Sequence, residues 1–177
     1  MKIAVYCGSD FGNNEAFTKA AADLGRWLGQ AGHSLVYGGG NSGLMGLVAK
    51  EVHQAGQTVI GVIPGDVPFI KDRPQPYVTE LIVAANMSER KQKMLELAEA
   101  FIALPGGIGT LDEISEAITL TKIGVFQKKT VMLNEENFYE PFKRQLEQME
   151  QAGFLKPEAM GHVLFSEDLK EIEGFLK

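Results

Sequence analysis

The chain has a single cysteine, Cys7, among its 177 residues. An intrachain disulfide and a cluster of thiolate metal ligands are therefore both excluded. The three histidines are scattered, and none is paired with a second ligand at the one-turn helical spacing that zinc sites use. Neither a Ser-His-Asp nor a Cys-His arrangement can be picked out. The sequence thus predicts no metal site and no bound cofactor.

Basic residues are outnumbered by acidic ones, with 17 Lys and Arg residues against 23 Asp and Glu residues, which gives a net charge of −6. This balance argues against binding to nucleic acid or to an anionic membrane surface. No apolar run reaches the length of a transmembrane helix, and the first residues lack the features of a signal peptide. We therefore expect a cytoplasmic protein.

What the chain does contain is 45% hydrophobic residues, enough for one globular domain over residues 1–177. Short apolar runs alternate with helical patterns along the whole sequence, which predicts an α/β fold. We expect a single-domain, Rossmann-like, three-layer sandwich with a mostly parallel sheet flanked by helices. The predicted strands are Lys2–Cys7, Ser34–Tyr37, Gln57–Ile63, Tyr77–Val83, Ala100–Leu104, Lys129–Leu133 and His162–Phe165.

The most informative stretch follows the buried run Ala100–Leu104, where Gly106, Gly107 and Gly109 precede a helical pattern. Backbone N–H groups at a helix start have no intrahelical partner, and the helix dipole adds partial positive charge. Such a turn suits a phosphate, and Thr110 can add a hydroxyl donor. No lysine follows the last glycine, so this is not a P-loop. A plain tight turn remains the alternative.

Two more glycine turns follow predicted strands, one at Gly8-Ser9 and one at residues 38–43. Since the carboxyl ends of parallel strands share one edge of the sheet, all three turns should lie together. Residues 38–43 formally match G-x-G-x-x-G, which leaves a nicotinamide-dependent oxidoreductase as an alternative. The match follows the second strand, and no acidic residue ends a strand about twenty positions later. We interpret Gly39 and Gly40 as a second wall of the same crevice.

Charged residues flank the phosphate loop on both sides in sequence. Arg90 and Lys91 lie one turn into a helix that begins at Asn86, and a solvated helix face is the alternative interpretation. Glu113 lies within the first turns of the central helix, on one face with Thr110, close to whatever is attached to a bound phosphate. Compensation of the helix dipole is the alternative role for Glu113, and Asp112 is an equal candidate for it.

A proline-rich loop, residues 64–76, is longer than a minimal connection and is a candidate lid or substrate contact. A solvated crossing loop is an equal alternative.

The motifs together resemble those of the LOG ("Lonely Guy") family of phosphoribohydrolases. Residues 105–113 match the family signature P-G-G-x-G-T-x-x-E, and residues 87–91 match M-x-x-R-K. Residues 37–46 and 5–9 resemble the family's third block and opening strand, so the similarity covers nearly the whole chain. The sequence departs from the family at residues 65–76 and at Asn86, which is acidic in many plant-type members.

This resemblance implies hydrolysis of the N-glycosidic bond of AMP or an N6-modified AMP by a homodimer, with Arg90 and Glu113 as the catalytic pair. The rival implication is a non-catalytic nucleotide or molybdenum-cofactor carrier on the same fold, whereas lysine decarboxylation is disfavoured because no lysine stands in a cofactor-anchoring context. The residues expected to bind the substrate or its phosphate are Gly8, Ser9, Gly39, Gly40, Met87, Lys91, Gly106, Gly107, Ile108, Gly109, Thr110, Leu111, Asp112 and Thr119.

Overall fold

The apolar runs of the sequence form the strands of one sheet in the computed structural model, which describes residues 1–67 and 75–177. The strands are β1 (Lys2–Tyr6), β2 (Ser34–Tyr37), β3 (Val59–Pro64), β4 (Glu80–Ala84), β5 (Ala100–Ala103), β6 (Lys129–Leu133) and β7 (Val163–Ser166). The α-helices are α1 (Glu15–Gln30), α2 (Gly43–Gln54), α3 (Met87–Leu97), α4 (Ile108–Lys122), α5 (Glu140–Gln151) and α6 (Leu169–Leu176). Short 3₁₀ turns lie at Glu135–Asn137 and Pro157–His162.

The seven strands follow the order β4-β3-β2-β1-β5-β6-β7, and all six neighbouring pairs are parallel. The chain winds outward from β1 in one direction through β4 and then returns to place β5 on the other side of β1. The strand order therefore reverses between β1 and β5, and such a switch point opens a crevice beyond the carboxyl ends of the strands. The predicted Rossmann-like α/β class is confirmed.

Side chains alternate between the two faces of the sheet, and each face has its own core. On one face, Ile3, Val5 and Leu35 pack with buried residues of α1, α2 and α6. On the other face, Tyr6 and Phe101 pack with buried residues of α3 and α4. Strands that are covered on both faces consist of continuous apolar residues, and this pattern is why most of the strands could be predicted from the sequence.

The edge strand β4 begins later than the sequence predicts. The predicted start was Tyr77, but pairing with β3 begins at Glu80 opposite Ile60. Thr79 lies beside Val59, the first residue of β3. Its hydroxyl accepts a 2.8 Å hydrogen bond from the Val59 N–H and donates one of 3.1 Å to the Val59 carbonyl. The Val59 N–H is thus satisfied by a side chain and not by a backbone carbonyl of the preceding residues, so the ladder does not extend to Tyr77.

The predicted loop at residues 64–76 overlaps the end of β3 at Pro64, and its residues 68–74 lie outside the described part of the chain. The expectation of a lid or substrate contact in that loop therefore stays a prediction. Over the described ranges, 1–67 and 75–177, no helix combines the length and the apolar character needed to cross a membrane.

Candidate active site

The glycine turns that follow β1, β2 and β5 meet at one edge of the sheet and line a single cavity of about 450 Å³. The first turns of α3 and α4 complete its wall. Twelve residues expected to act in catalysis or substrate binding line this cavity: Gly8, Ser9, Gly39, Gly40, Met87, Arg90, Lys91, Gly107, Gly109, Thr110, Asp112 and Glu113. Parallel topology thus brings together motifs that are far apart in sequence.

Helix α3 starts at a pair of reciprocal caps that fix the position of its first turn. The Asn86 side chain accepts a 3.0 Å hydrogen bond from the N–H of Glu89, and the Glu89 carboxylate accepts one of 2.7 Å from the N–H of Ala85. This arrangement is close to a capping box. Asn86, a departure from many family members, is therefore a good N-cap, and it sets the direction in which Arg90 leaves the helix.

Arg90 is buried, with 8% of its surface exposed, and it connects three elements. Its Nε donates a 3.0 Å hydrogen bond to the carbonyl of Val62 on β3, and its Nη1 donates one of 2.7 Å to Oε1 of Glu113 on α4. Both side chains of this ion pair are largely enclosed, with 10% and 14% exposed. Such a charge-assisted contact fixes the carboxylate where it lines the cavity, and Arg90 does not lie on a solvated helix face.

Gly38, just after β2, leaves room for the Arg90 guanidinium. A Cβ atom at position 38 would lie 2.2 Å from Nη2 of Arg90, far inside van der Waals contact. Glycine is therefore required here by close approach, since Gly38 does not adopt a positive φ. The glycine-rich stretch 38–40 thus makes space for the side chain that holds Glu113, besides forming a wall of the cavity.

Burial dominates the electrostatics of Glu113. Removal from water raises the pKa of its carboxyl above the ordinary value, and the charge of Asp112 adds to that effect. Arg90 opposes the rise through its charge and its hydrogen bond, and Lys91 opposes it through charge. The net direction is upward, which is typical of a carboxylate that exchanges protons during catalysis.

The start of α4 has the geometry expected of a phosphate site. Gly107 is the extended N-cap residue, and no side chain of residues 1–67 or 75–177 caps the helix, so the N–H groups of its first turn have no intrahelical partner. Gly107, Gly109 and Thr110 of this segment line the cavity. Gly106 allows the turn to pack tightly, because a Cβ atom there would lie 2.2 Å from Oγ1 of Thr110 and 2.8 Å from the N of Gly8. The glycines therefore bring two turns and a hydroxyl close together.

Lys91 lies at the mouth of the cavity and is engaged by two carboxylates of α4. Its Nζ lies 2.9 Å from Asp112 and 2.9 Å from Glu116. These hydrogen bonds raise the pKa of the Lys91 ammonium, despite a smaller opposing effect of burial. Asp112 thus pairs with Lys91, whereas Glu113 pairs with Arg90, so the two neighbouring carboxylates have separate partners.

Four of the expected binding residues do not line this cavity. Gly106 lies behind the loop and lines a neighbouring cavity, Ile108 is 83% exposed, and Leu111 packs against the apolar core. Thr119 is exposed two turns further along α4, where its hydroxyl donates to the carbonyl of Ser115. Helical periodicity turns the side chains of Ile108, Leu111 and Thr119 away from Glu113, whereas Gly106 precedes the helix.

Five lining residues were not among the expected set: Cys7, Gly38, Ser42, Met45 and Gln75. For Cys7 and Gly38, the signal was available, because each lies directly beside a glycine turn that was assigned to the crevice. Gln75 was not foreseeable from its sequence context. Its Oε1 is buried and has no hydrogen-bond partner among the described residues.

A parallel α/β sheet with a glycine-lined helix start and an enclosed carboxylate beside it defines a nucleotide-binding protein of the Rossmann-like class. Comparison with known protein families identifies a family within this class. Residues 45–173 match the model of a family described as "possible lysine decarboxylase". The chain belongs to this family, which is that of the LOG phosphoribohydrolases.

Two curated relatives cover almost the entire chain. The sequence is 41% identical to the cytokinin riboside 5′-monophosphate phosphoribohydrolase LOG of Oryza sativa subsp. japonica, over 97% of this chain and 70% of that protein. It is 36% identical to the cytokinin riboside 5′-monophosphate phosphoribohydrolase of Rhodococcoides fascians, over 95% of this chain and 85% of that protein.

Among solved structures, the Moco carrier protein of Chlamydomonas reinhardtii is similar with a TM-score of 0.73. The likeness covers 99% of this chain and 96% of that chain, at 24% sequence identity. At this level of identity, the likeness confirms the fold and carries no conclusion about the ligand.

Proposed function

We propose that this protein hydrolyses the N-glycosidic bond of a nucleoside 5′-monophosphate, giving the free base and ribose 5-phosphate. The observation that carries the proposal is the enclosed Arg90–Glu113 pair, joined at 2.7 Å beside the glycine-lined start of α4. The two curated relatives, at 36–41% identity, are named as enzymes of this activity. AMP and N6-modified AMP are the proposed substrates.

In the proposed reaction, the backbone N–H groups at the start of α4 hold the phosphate, and binding far from the reacting carbon positions the ribose. The bond between C1′ and the base nitrogen breaks as the sugar becomes oxocarbenium-like, as in O-glycoside hydrolysis. The ionised Glu113 stabilises this cation and orients the attacking water. Water adds its oxygen to C1′ and gives a proton to the Glu113 carboxylate, while the base leaves with the bonding electrons and takes up a proton from water.

Arg90 is proposed to act through Glu113. Its two donated hydrogen bonds, to Val62 and to Glu113, leave the carboxylate in one orientation and favour its ionised form. Burial works in the opposite direction on the same group. The pair therefore keeps a carboxylate charged in an enclosed site, where its attraction for a developing cation is larger than in water.

The proposal is tested by incubating the full chain with AMP and with an N6-modified AMP, and by measuring released base by chromatography. Glu113→Gln should retain nucleotide binding and lose about 10²–10⁴-fold in turnover, because general-base catalysis contributes an effect of this size. Glu147→Gln, an exposed carboxylate of α5, is the matched control and should behave as wild type. Near-normal turnover by Glu113→Gln would remove Glu113 from the mechanism.

The same assay separates the rival functions. A molybdenum-cofactor or nucleotide carrier needs the phosphate loop but not the Arg90–Glu113 pair, and it would release no adenine. A nicotinamide-dependent oxidoreductase would bind NAD in a titration. Lysine decarboxylation would yield cadaverine, but Lys91 in the cavity is held in its charged form by two carboxylates, which opposes Schiff-base chemistry.

A homodimer is part of the proposal, and exposed apolar surface just beyond the end of α4 supports it. Ile123 is 64% exposed, and Val125 just beyond the helix is 62% exposed, so apolar surface remains uncovered on the single chain. Thr119 lies one helical turn before Ile123 and does not line the cavity of its own chain, so we propose that it contacts the nucleotide bound by the other subunit. Light scattering on the purified chain tests this point, and a monomer mass would overturn it.

A further inference from the structure

A second cavity, of about 280 Å³, adjoins the first and is separated from it by the phosphate loop. Three residues, Gly8, Ser9 and Gly107, line both cavities. Gly107 is also the N-cap residue of α4, where the unpartnered N–H groups begin. A phosphate at this helix start would therefore lie on the boundary between the two cavities.

The lining of the second cavity differs in chemistry from that of the first. Where the first cavity contains Arg90 and Glu113, the second is walled by three phenylalanines, Phe11, Phe17 and Phe138. Phe11 is 50% exposed and Phe138 is 38% exposed, although both are large apolar side chains. Exposed aromatic rings grouped around a concave surface are typical of a binding site.

Phe138, one of the three phenylalanines of the wall, follows a strained segment of backbone. Glu136 and Asn137, the two residues before Phe138, both adopt left-handed backbone conformations, with φ of 54° and 58°. Non-glycine residues rarely adopt this conformation, and it persists where the surroundings enforce it, commonly at ligand sites. Phe138 in turn packs edge-to-face on Phe17, with ring centroids 5.5 Å apart.

From this arrangement we propose that the protein binds pyrophosphate-linked dinucleotides. The second cavity would then hold the ring group that is joined to the bound nucleotide through its phosphate. This inference rests on the proposed function for the position of the phosphate. The ribose and base of one half occupy the cavity that contains Glu113, and the bridging phosphates lie at the shared wall. The second base stacks against Phe11 and Phe138.

Size and charge both favour this occupant. The volume of about 280 Å³ lies just below the range of roughly 300–1,000 Å³ for pockets that hold whole ligands, which suits a single ring system. Asp10 also lines this cavity, and a carboxylate there favours a neutral or cationic ring over an anionic one. Aromatic side chains stack with nucleobases of every kind, so the second base need not be adenine.

The test is calorimetric titration of the full chain carrying Glu113→Gln, which prevents turnover, with AMP, ADP and diadenosine pyrophosphate. Base stacking on an aromatic side chain predicts that diadenosine pyrophosphate binds about 5- to 100-fold more tightly than ADP. Adding Phe11→Ala should abolish that advantage and leave the affinity for AMP unchanged. Phe138→Leu should likewise weaken binding of the dinucleotide and leave binding of AMP unchanged.

The control is Phe154→Ala, which removes a phenylalanine that is 79% exposed and does not line either cavity. Equal affinity for ADP and the dinucleotide would overturn the inference. An equal loss of affinity for AMP and the dinucleotide in Phe11→Ala would also overturn it, because the second cavity would then hold the base of AMP itself. Hydrolysis of AMP by the wild-type chain is measured separately, so failure of the hydrolase proposal is distinguishable from failure of this one.

Discussion

Replacing Gly38 by alanine should damage activity by displacing the Arg90 guanidinium, although Arg90 and Glu113 themselves are unchanged. The new Cβ would lie 2.2 Å from Nη2 of Arg90, and ordinary contact begins near 3.4 Å, so the guanidinium must move by about 1.2 Å. The hydrogen bond to Glu113 is 2.7 Å long, and a displacement of this size along its axis lengthens it beyond hydrogen-bonding range. A 1 Å misplacement in an active site can cost about 10²-fold in rate, and we expect a loss of that order in kcat/KM.

Fold stability should change much less than activity, because the atom that has to move is the end of a long side chain. The assay is base release from AMP, combined with a thermal melt of the same sample. Gly174→Ala is the matched control, since a Cβ at this exposed position of α6 would meet no atom within 4 Å. A folded Gly38→Ala protein with wild-type kcat/KM would refute the role assigned to Arg90.

Two further predictions concern Glu113 and Tyr139. Because burial raises the pKa of Glu113 and the ionised form is the active one, kcat/KM should fall as pH decreases, with its midpoint above the ordinary glutamate pKa of about 4.3. A kcat/KM that stays constant from neutral pH to below that value would contradict this. Tyr139 donates a 2.6 Å hydrogen bond to the carbonyl of Leu104, directly before the phosphate loop. Tyr139→Phe should lower the free energy of unfolding by about 1–3 kcal/mol, which corresponds to roughly 2–12 °C in Tm. It should also raise KM more than it lowers kcat. An unchanged melting curve in calorimetry would show that this bond does not hold the loop.

The fold was largely predictable from sequence, because strands buried on both faces leave continuous apolar runs. The run at Ala100–Ala103 and the glycines after it located a strand, a turn and a helix start in the correct order. The edge strand β4 was less predictable. Its outer residues Leu81 and Val83 are about half exposed, and it begins beside a hydrogen bond from the Val59 N–H to the Thr79 hydroxyl that no apolar pattern reports.

The site was predictable where the relevant residues are close in sequence, and unpredictable where they meet through the fold. Glu113 follows from its position one turn beyond the phosphate loop. Its contact with Arg90 was available only through family resemblance, because the two residues are 23 positions apart. The requirement for Gly38 beside Arg90 and the anchoring of Leu104 by Tyr139 depend on the packing of separate elements, which periodicity and spacing do not encode.

The pairing of charges around the first cavity has a consequence for the order of events after cleavage. Among the described residues that line it, two cations and two anions are matched to each other, Arg90 with Glu113 and Lys91 with Asp112. The wall is thus close to electrically neutral, and we expect a phosphate dianion to be retained by peptide dipoles, which do not titrate. In the proposed reaction, ribose 5-phosphate keeps that attachment when the glycosidic bond is broken, whereas the uncharged base does not, so the base should depart first.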